Sequence, residues 1–355
     1  MRYGQAVQGL ILCLVASLWM SCAIAGEPPR APERPTTSPN PAQLVSVADA
    51  ELHDPLVFVI YGDMRFTDSK ETNAANPGAR RALVEKVASE HPDALFVTGD
   101  VPWHGGSADD YQVFAQEAVV WQQQHLRVYP VLGNHEFSQC EQAHCLENWW
   151  QAFPQVQGWR WYSVALGTQI RAFALDSNAS LLAGSQQRLW LQEELETLPD
   201  TVRFVIVTLH HPPVADQGLF IVRRNERALA KYLKTVASHS TAKFIVCSGH
   251  VHNYERFRRD GILYLVSGGG GAKPLHVHRG RGDLYQDAEF PNYHYIRFEL
   301  QGDQLSAEMV RLEDYDNPTP QTWAIRDRFE VVARARSSVP ARVSDRAPYD
   351  AGVTN

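Results

Sequence analysis

Short apolar runs recur along this chain and alternate with stretches of helical periodicity. LVFVIY at 56–61 reads as a buried strand, and GARRALVEKVASEH after it places Leu83, Val84, Val87 and Ala88 on one helical face. ALFVTG at 94–99 and RVYPVL at 127–132 are the next strands. Between them, Ser107-x-x-Asp110 resembles a capping box, and Phe114, Ala118 and Trp121 continue a helical face. IRAFALD, RFVIVTL, KFIVC and ILYLV are further strands, with helices predicted over SQQRLWLQEELETL and ERALAKYLKTVAS. YHYIRFEL, QLSAEMVRL and RFEVVA then read as consecutive strands with short turns. The pattern predicts one α/β (α+β) domain over 51–335, without internal repeats, in which an alternating core joins an antiparallel sheet.

Both ends depart from this pattern. Arg2, the apolar run GLILCLVASLWM and Ala23-Ile24-Ala25 describe a secretory signal peptide over 1–25, too short for a comfortable membrane span. Cys22 raises a lipoprotein alternative, which Trp19, Met20 and Ser21 in front of it disfavour. The prolines of EPPRAPERPTTSPNPAQLV indicate a linker over 26–50, and 336–355 reads as a flexible tail. The mature chain is thus expected to be exported, periplasmic or secreted, with no membrane partner after signal removal. With 44% hydrophobic and 21% charged residues the chain is of globular composition, and its net charge of −7 argues against nucleic acid as the main partner.

Export changes the reading of the cysteines. Cys140 and Cys145 are close enough to staple one loop in an oxidising compartment; two free thiols, or a zinc site with His144, are the alternatives. Cys247 ends KFIVC and reads as a buried core thiol. The tryptophans of WW (149–150) and WRWY (159–162) suit packing, with stacking on a base as the rival reading. SGGGGA at 267–272 lacks the Lys-Ser/Thr of a P-loop and reads as a tight loop near the site edge.

The informative feature lies at the C-terminal end of each strand. LVFVIY leads into Gly62-Asp63, ALFVT into Gly99-Asp100, RVYPVL into Gly133-Asn134-His135-Glu136, RFVIVTL into His210-His211-Pro212-Pro213, and KFIVCS into Gly249-His250-Val251-His252. A single Asp after Gly is usually a turn or helix cap. Five strands that all end in metal-capable side chains, at the sheet edge where α/β proteins bind ligands, point to a metal site. Asp63, Asp100, Asn134, His210, His250 and His252 are the candidate ligands. They suit two ions better than one, and Mn, Fe or Zn better than Ca. Two such ions lower the pKa of a bound water, so that a metal-bridging hydroxide can serve as nucleophile.

The ordered blocks GDMR, GDVPWHGG, GNHE, LHHPP and GHVHNYER resemble the calcineurin-like metallophosphoesterases, and the last is most similar to the purple acid phosphatase branch. The resemblance runs from about Leu56 to Arg256. It implies a β-sandwich of two mixed sheets flanked by helices, with a dinuclear site at the C-terminal strand edge. It also implies that Asp63 and His252 bind the first metal, that Asp100 bridges, and that Asn134, His210 and His250 bind the second. His135 would assist near the phosphate as proton donor or electrostatic stabiliser.

Two positions depart from the family pattern. Arg65 stands where many members have a histidine, and Trp103 stands where purple acid phosphatases have a tyrosine ligand. Neither can replace the usual ligand. His104 or the DSKETN loop is a possible substitute, and Arg65 is read either as a contact to substrate phosphate or as an ion-pair partner of Asp68 or Glu71. The implied activity is hydrolysis of small phosphorylated substrates. A phosphomonoesterase is favoured by the YER ending; a phosphodiesterase or nucleotidase, and a binding protein with impaired catalysis, are the alternatives.

Overall fold

The chain enters the fold through LVSV, β1 (Leu44–Val47), and the buried run LVFVIY, β2 (Leu56–Tyr61). Helical periodicity after β2 becomes α1 (Pro77–Ser89), where Asn76 caps the N–H groups of Gly78 and Ala79 and Pro77 opens the first turn. There follow β3 (Ala94–Val97), α2 (Ala108–Glu117), α3 (Val119–Gln123), β4 (Val128–Pro130) and α4 (Gln142–Ala152). Next come β5 (Tyr162–Leu166), β6 (Ile170–Ala174), α5 (Gln186–Glu196), β7 (Phe204–Leu209) and α6 (Arg224–His239). The last strands are β8 (Lys243–Ser248), β9 (Tyr254–Arg259), β10 (Ile262–Ser267), β11 (His294–Gln301), β12 (Gln304–Leu312) and β13 (Trp323–Val332). This computed structural model describes residues 43–217, 221–316 and 320–333. The signal peptide expected over 1–25, the linker up to residue 42 and the tail over 336–355 lie outside them.

The strands form two mixed sheets. One has the order β1-β5-β6-β7-β8-β10-β9, the other β13-β12-β11-β2-β3-β4. β6, β7, β8 and β10 run parallel in the first, and β2, β3 and β4 in the second; antiparallel pairs complete both. A single hydrophobic cluster draws Ile60 and Phe298 from one sheet together with Ile206, Ile245 and Leu265 from the other, as a sandwich requires. A second cluster packs Leu191 of α5 and Leu229 and Leu233 of α6 against Val205, Val207 and Val246. The alternating strand–helix pattern therefore places the C-terminal ends of β2, β3, β7 and β8 around one edge of the fold. No helix among the described residues is long and apolar enough to cross a membrane.

Three elements differ from the sequence expectation. LVSV falls in the expected linker yet forms β1, because its backbone pairs parallel with β5. The helical face through Phe114 and Trp121 breaks at Ala118; the turn there lets buried Trp121 donate its indole N–H to Val84 O at 3.1 Å. The cysteine segment is the start of α4, with the Cys140–Cys145 disulfide formed across it. That bond removes the free-thiol and zinc readings, and His144 is exposed. The packing reading of the tryptophans holds for Trp149 and Trp150. Trp149 is fully buried, and Trp150 donates its indole N–H to Trp159 O at 3.0 Å. Cys247 is a buried free thiol, as its place at the end of KFIVC indicated.

A candidate dinuclear metal centre at the strand ends

Three of the five strand ends make their turn with unusual backbone. Asp63 (φ 62°), Asp100 (φ 53°) and His250 (φ 69°) all lie in the left-handed region, as does Arg65 (φ 50°). Such strain in non-glycine residues persists where the surroundings fix it, and it clusters at functional sites. Neighbouring glycines let the turns interlock: a Cβ on Gly249 would lie 2.3 Å from Asp63 Oδ2. The SGGGGA loop closes beneath them. Gly62 N–H donates to Ser267 O at 3.1 Å, and Ala272 N–H to Asp63 O at 2.8 Å.

The six candidate ligands come together. Ligand atoms of Asp63, Asp100 and His252 lie within 4.8 Å of one another, and so do those of His210, His211 and His250. His210 Nε2 lies 3.0 Å from Asn134 Oδ1, 3.3 Å from Asp100 Oδ1 and 3.1 Å from His250 Nδ1. His211 was missed by sequence reasoning, although it stands in the same LHHPP block. It is buried, its ring centroid is 4.5 Å from that of His250, and its Nδ1 is 2.8 Å from Ser177 Oγ.

Hydrogen bonds around the rings fix their tautomers. His210 Nδ1 faces Thr98 O at 2.9 Å, and His252 Nδ1 faces Lys273 O at 2.7 Å. A carbonyl only accepts, so each Nδ1 carries the proton and each Nε2 turns a lone pair into the site. Burial lowers the pKa of His210; burial and then His210 lower His250 to about 3; burial and then Arg65 lower His252 to about 3. Neutral imidazole is the form that binds metal.

The resulting site lacks positive charge at its centre. His210 Nε2 points its lone pair at Asp100 Oδ1 and Asn134 Oδ1, which are acceptors too. His252 Nε2 is buried with no hydrogen-bond partner, 3.5 Å from Asp63 Oδ1. Asp63 is pushed well above the usual carboxylate range by burial and then by Asp100. Burial also raises Asp100, but the Arg65 guanidinium and the His135 backbone N–H help to hold that carboxyl low. Lone pairs converging in a buried space are satisfied by metal cations. The donor set fits two ions, with Asp100 placed between the clusters.

A scan against family models matches residues 52–254 to the calcineurin-like phosphoesterase model. The chain belongs to the calcineurin-like phosphoesterases. These are metallophosphoesterases, metal-dependent hydrolases of phosphoesters that typically hold two metal ions, and this chain carries the donor groups for them. Among solved structures the fold is similar to the purple acid phosphatase PPD1 of yellow lupin (Lupinus luteus), with TM-score 0.63 and 16% identity over 79% of this chain; the chain spans 54% of that protein. It is also similar to a dimetal phosphatase from Danio rerio, with TM-score 0.55 and 13% identity over 79% of this chain and 100% of that one. GAP50, described as the anchor in the inner membrane complex of Plasmodium, has TM-score 0.56 and 13% identity over 80% of this chain and 90% of that one. No curated protein matches the sequence.

In this phosphoesterase the altered first metal position takes a definite form. Arg65 pairs with neither Asp68 nor Glu71. Its Nη2 donates to Asp100 Oδ2 at 3.2 Å, its guanidinium lies 4.9 Å from the Trp103 ring centroid, and its buried Nε has no partner. His135 also packs on Trp103, with centroids 4.6 Å apart, and its Nδ1 lies 2.6 Å from Trp103 O. That contact leaves the His135 Nε2 lone pair 3.8 Å from Asp100 Oδ2. Trp103, where the branch has a ligand, therefore acts as a platform that gathers Arg65 and His135 at the site edge. Neither suggested substitute ligand is in place. His104 Nδ1 is 3.5 Å from Asp110, and the DSKETN loop is largely exposed. The three donors Asp63, Asp100 and His252 make up the grouped set on this side.

Glu136, within GNHE, has a role that sequence reasoning missed. It is fully buried and accepts the backbone N–H groups of Gly133 (2.6 Å), Val101 (2.7 Å) and Asp100 (3.1 Å). One carboxylate thus fastens the β3 end to the β4 end. The YER residues also have structural partners. Tyr254 donates to Asp327 at 2.9 Å, and Arg256 grips the same Asp327 with Nε at 2.7 Å and Nη2 at 3.0 Å.

Proposed function

We propose that this metallophosphoesterase is an exported phosphomonoesterase acting on small phosphorylated substrates. The observation that carries this is the Arg65 guanidinium at the site edge, held beside Asp100 and over the Trp103 ring. A monoester presents more terminal phosphate oxygens than a diester, and a guanidinium at the rim of the centre suits them. Arg65 binds the phosphate, and His135 would take up a proton at its Nε2 lone pair and pass it to the leaving oxygen. Asp63, Asp100 and His252 would hold one ion, and Asn134, His210 and His250, with Asp100 shared, the other. Bound Mn, Fe or Zn supplies Lewis acidity and an activated water. The YER ending no longer supports the monoester preference, because Tyr254 and Arg256 are bound to Asp327 of β13 and Glu255 accepts the Asp216 N–H.

The Cys140–Cys145 disulfide supports export to a periplasmic or extracellular space, since such bonds persist in oxidising compartments. The deciding experiment uses the chain from Gly26, loaded with Mn, Fe or Zn, and compares p-nitrophenyl phosphate with its bis ester. Faster hydrolysis of the monoester is expected, with Arg65→Ala raising KM for it. A preference for the bis ester would overturn the reading.

A further inference from the structure

One cavity beside the metal donors is not used by the ligand set. It measures about 370 Å³ and is lined by Asn134, Phe137, Cys140, Gln142, Arg160 and Asn178. Asn134 belongs to both, so the cavity adjoins the centre directly. At about 30 Å³ per water-sized group it accepts roughly a dozen non-hydrogen atoms, a whole hexose or the sugar and part of the base of a nucleoside.

Its walls are fixed. Cys140 is tied to α4 by the disulfide. Asn178 Nδ2 donates to Leu132 O and Gly133 O, both at 3.1 Å. Arg160 donates from Nε to Asp176 Oδ2 at 2.8 Å and from Nη2 to the same oxygen, and its guanidinium lies 5.4 Å from the Phe137 ring centroid. Asp176 is fully buried. Its charge therefore offsets that of the guanidinium, which faces the cavity as an oriented hydrogen-bond donor rather than a net cation. Phe137 adds an aromatic wall suited to a ring.

We infer that this cavity is the leaving-group subsite for a cyclic, oxygen-rich, uncharged alcohol, a nucleoside or a hexose, and that Arg160 is its specificity-determining residue. The inference rests on the phosphomonoesterase reading and names its substrate class. Arg160 donates to acceptor oxygens of the alcohol, and a second anionic group gains nothing from the neutralised pair.

The test takes the metal-loaded chain from Gly26. Its kcat/KM is measured for a nucleoside 5′-monophosphate, a hexose 6-phosphate, glycerol phosphate and a hexose bisphosphate. Both cyclic monophosphates are expected to exceed glycerol phosphate, and the better of the two identifies the alcohol. Arg160→Lys keeps a cation on Asp176. It is expected to raise KM about 10- to 100-fold for the cyclic substrates while moving glycerol phosphate and inhibition by inorganic phosphate by less than about threefold. The double variant Arg160→Met with Asp176→Asn removes both charges, and the same selective loss is expected. Equal loss across substrates, or preference for the bisphosphate, overturns the inference. Calorimetric binding of the free nucleoside and hexose reads the cavity without turnover. Binding that Arg160→Lys abolishes, in a chain that hydrolyses no monoester, sustains the subsite and sinks the phosphomonoesterase reading. No binding and no cyclic preference sinks the subsite alone.

Discussion

Glu136 accepts the backbone N–H of Asp100 at 3.1 Å while also accepting those of Val101 and Gly133. Asp100, the proposed bridging ligand, is thus held by a buried carboxylate that lies outside the grouped donors. Burial and then Asp100 push Glu136 up to about 8, so its ionised form leans on the positive charge that the centre is built to hold. Glu136→Ala strands three N–H groups, at about 1–3 kcal/mol each, so a loss of about 3 kcal/mol or more in unfolding free energy is expected. Glu136→Gln keeps one acceptor oxygen and should fall between. Denaturant unfolding with metal analysis checks both; a Glu136→Ala chain of unchanged stability would remove this role.

His135 is separable from the metal set. Its backbone N–H donates to Asp100 Oδ1 at 3.0 Å, a contact that Ala keeps, while its ring contributes the Nε2 lone pair. His135→Ala is therefore expected to retain the ions and to slow turnover about 10²–10⁴-fold, the range for one acid–base or electrostatic group. Metal content and kcat are measured on the same preparation. Full activity, or loss of the ions in parallel with activity, would contradict the assignment.

The strand ends were legible because their pattern repeats: a buried run, a turn residue, then Asp, Asn or His. The two-sheet fold was legible for the same reason, since buried runs and helical faces carry distinct periods. What escaped was set by contacts distant in sequence. β1 exists through pairing with β5, and LVSV is too short to announce it. Glu136 looks like any exposed glutamate until three N–H groups are seen to converge on it. Arg65 appeared free to meet Asp68 or Glu71; only the turn at φ 50° aims it at Asp100. The YER block was read as favouring monoesters through the family resemblance, whereas β9 directs Tyr254 and Arg256 to β13.

Acid stability should report on a histidine outside the metal set. His294 is fully buried, its Nδ1 2.9 Å from Asn292 O and its Nε2 3.1 Å from Ser267 Oγ. Burial lowers its pKa to about 4. The unfolded chain binds this proton near pH 6.5 and the folded chain does not, so stability falls as pH drops from about 6.5 to about 4. The full contribution is about 3 kcal/mol by that linkage. In His294→Asn the dependence of Tm on pH across this window is expected to flatten. An unchanged slope would assign the acid sensitivity to other groups.

Gly133 offers the sharpest test of how tightly the strand ends interlock. A Cβ there would lie 2.3 Å from Asp100 Oδ1, 2.5 Å from Asp100 N and 2.9 Å from Glu136 Oε2. Two of these atoms belong to Asp100, the proposed bridging ligand, and the third to the carboxylate that fastens it. None sits at the free end of a surface side chain, so the β3 and β4 ends must move apart. The buried strands behind them need not follow, because their cores lie between the sheets. Gly133→Ala should therefore keep its secondary structure, lose at least one ion per chain, and lose about 10²-fold or more in kcat/KM, the scale expected from a displacement near 1 Å. Gly158→Ala is the control. It carries the backbone strain of alanine at positive φ (80°), but nothing lies within 4 Å of the added methyl group. Circular dichroism, metal stoichiometry and hydrolysis of p-nitrophenyl phosphate, measured on both variants, separate a local effect on the centre from a general loss of stability. If Gly133→Ala retains both ions and full turnover, Asp100 is not held where its neighbours place it.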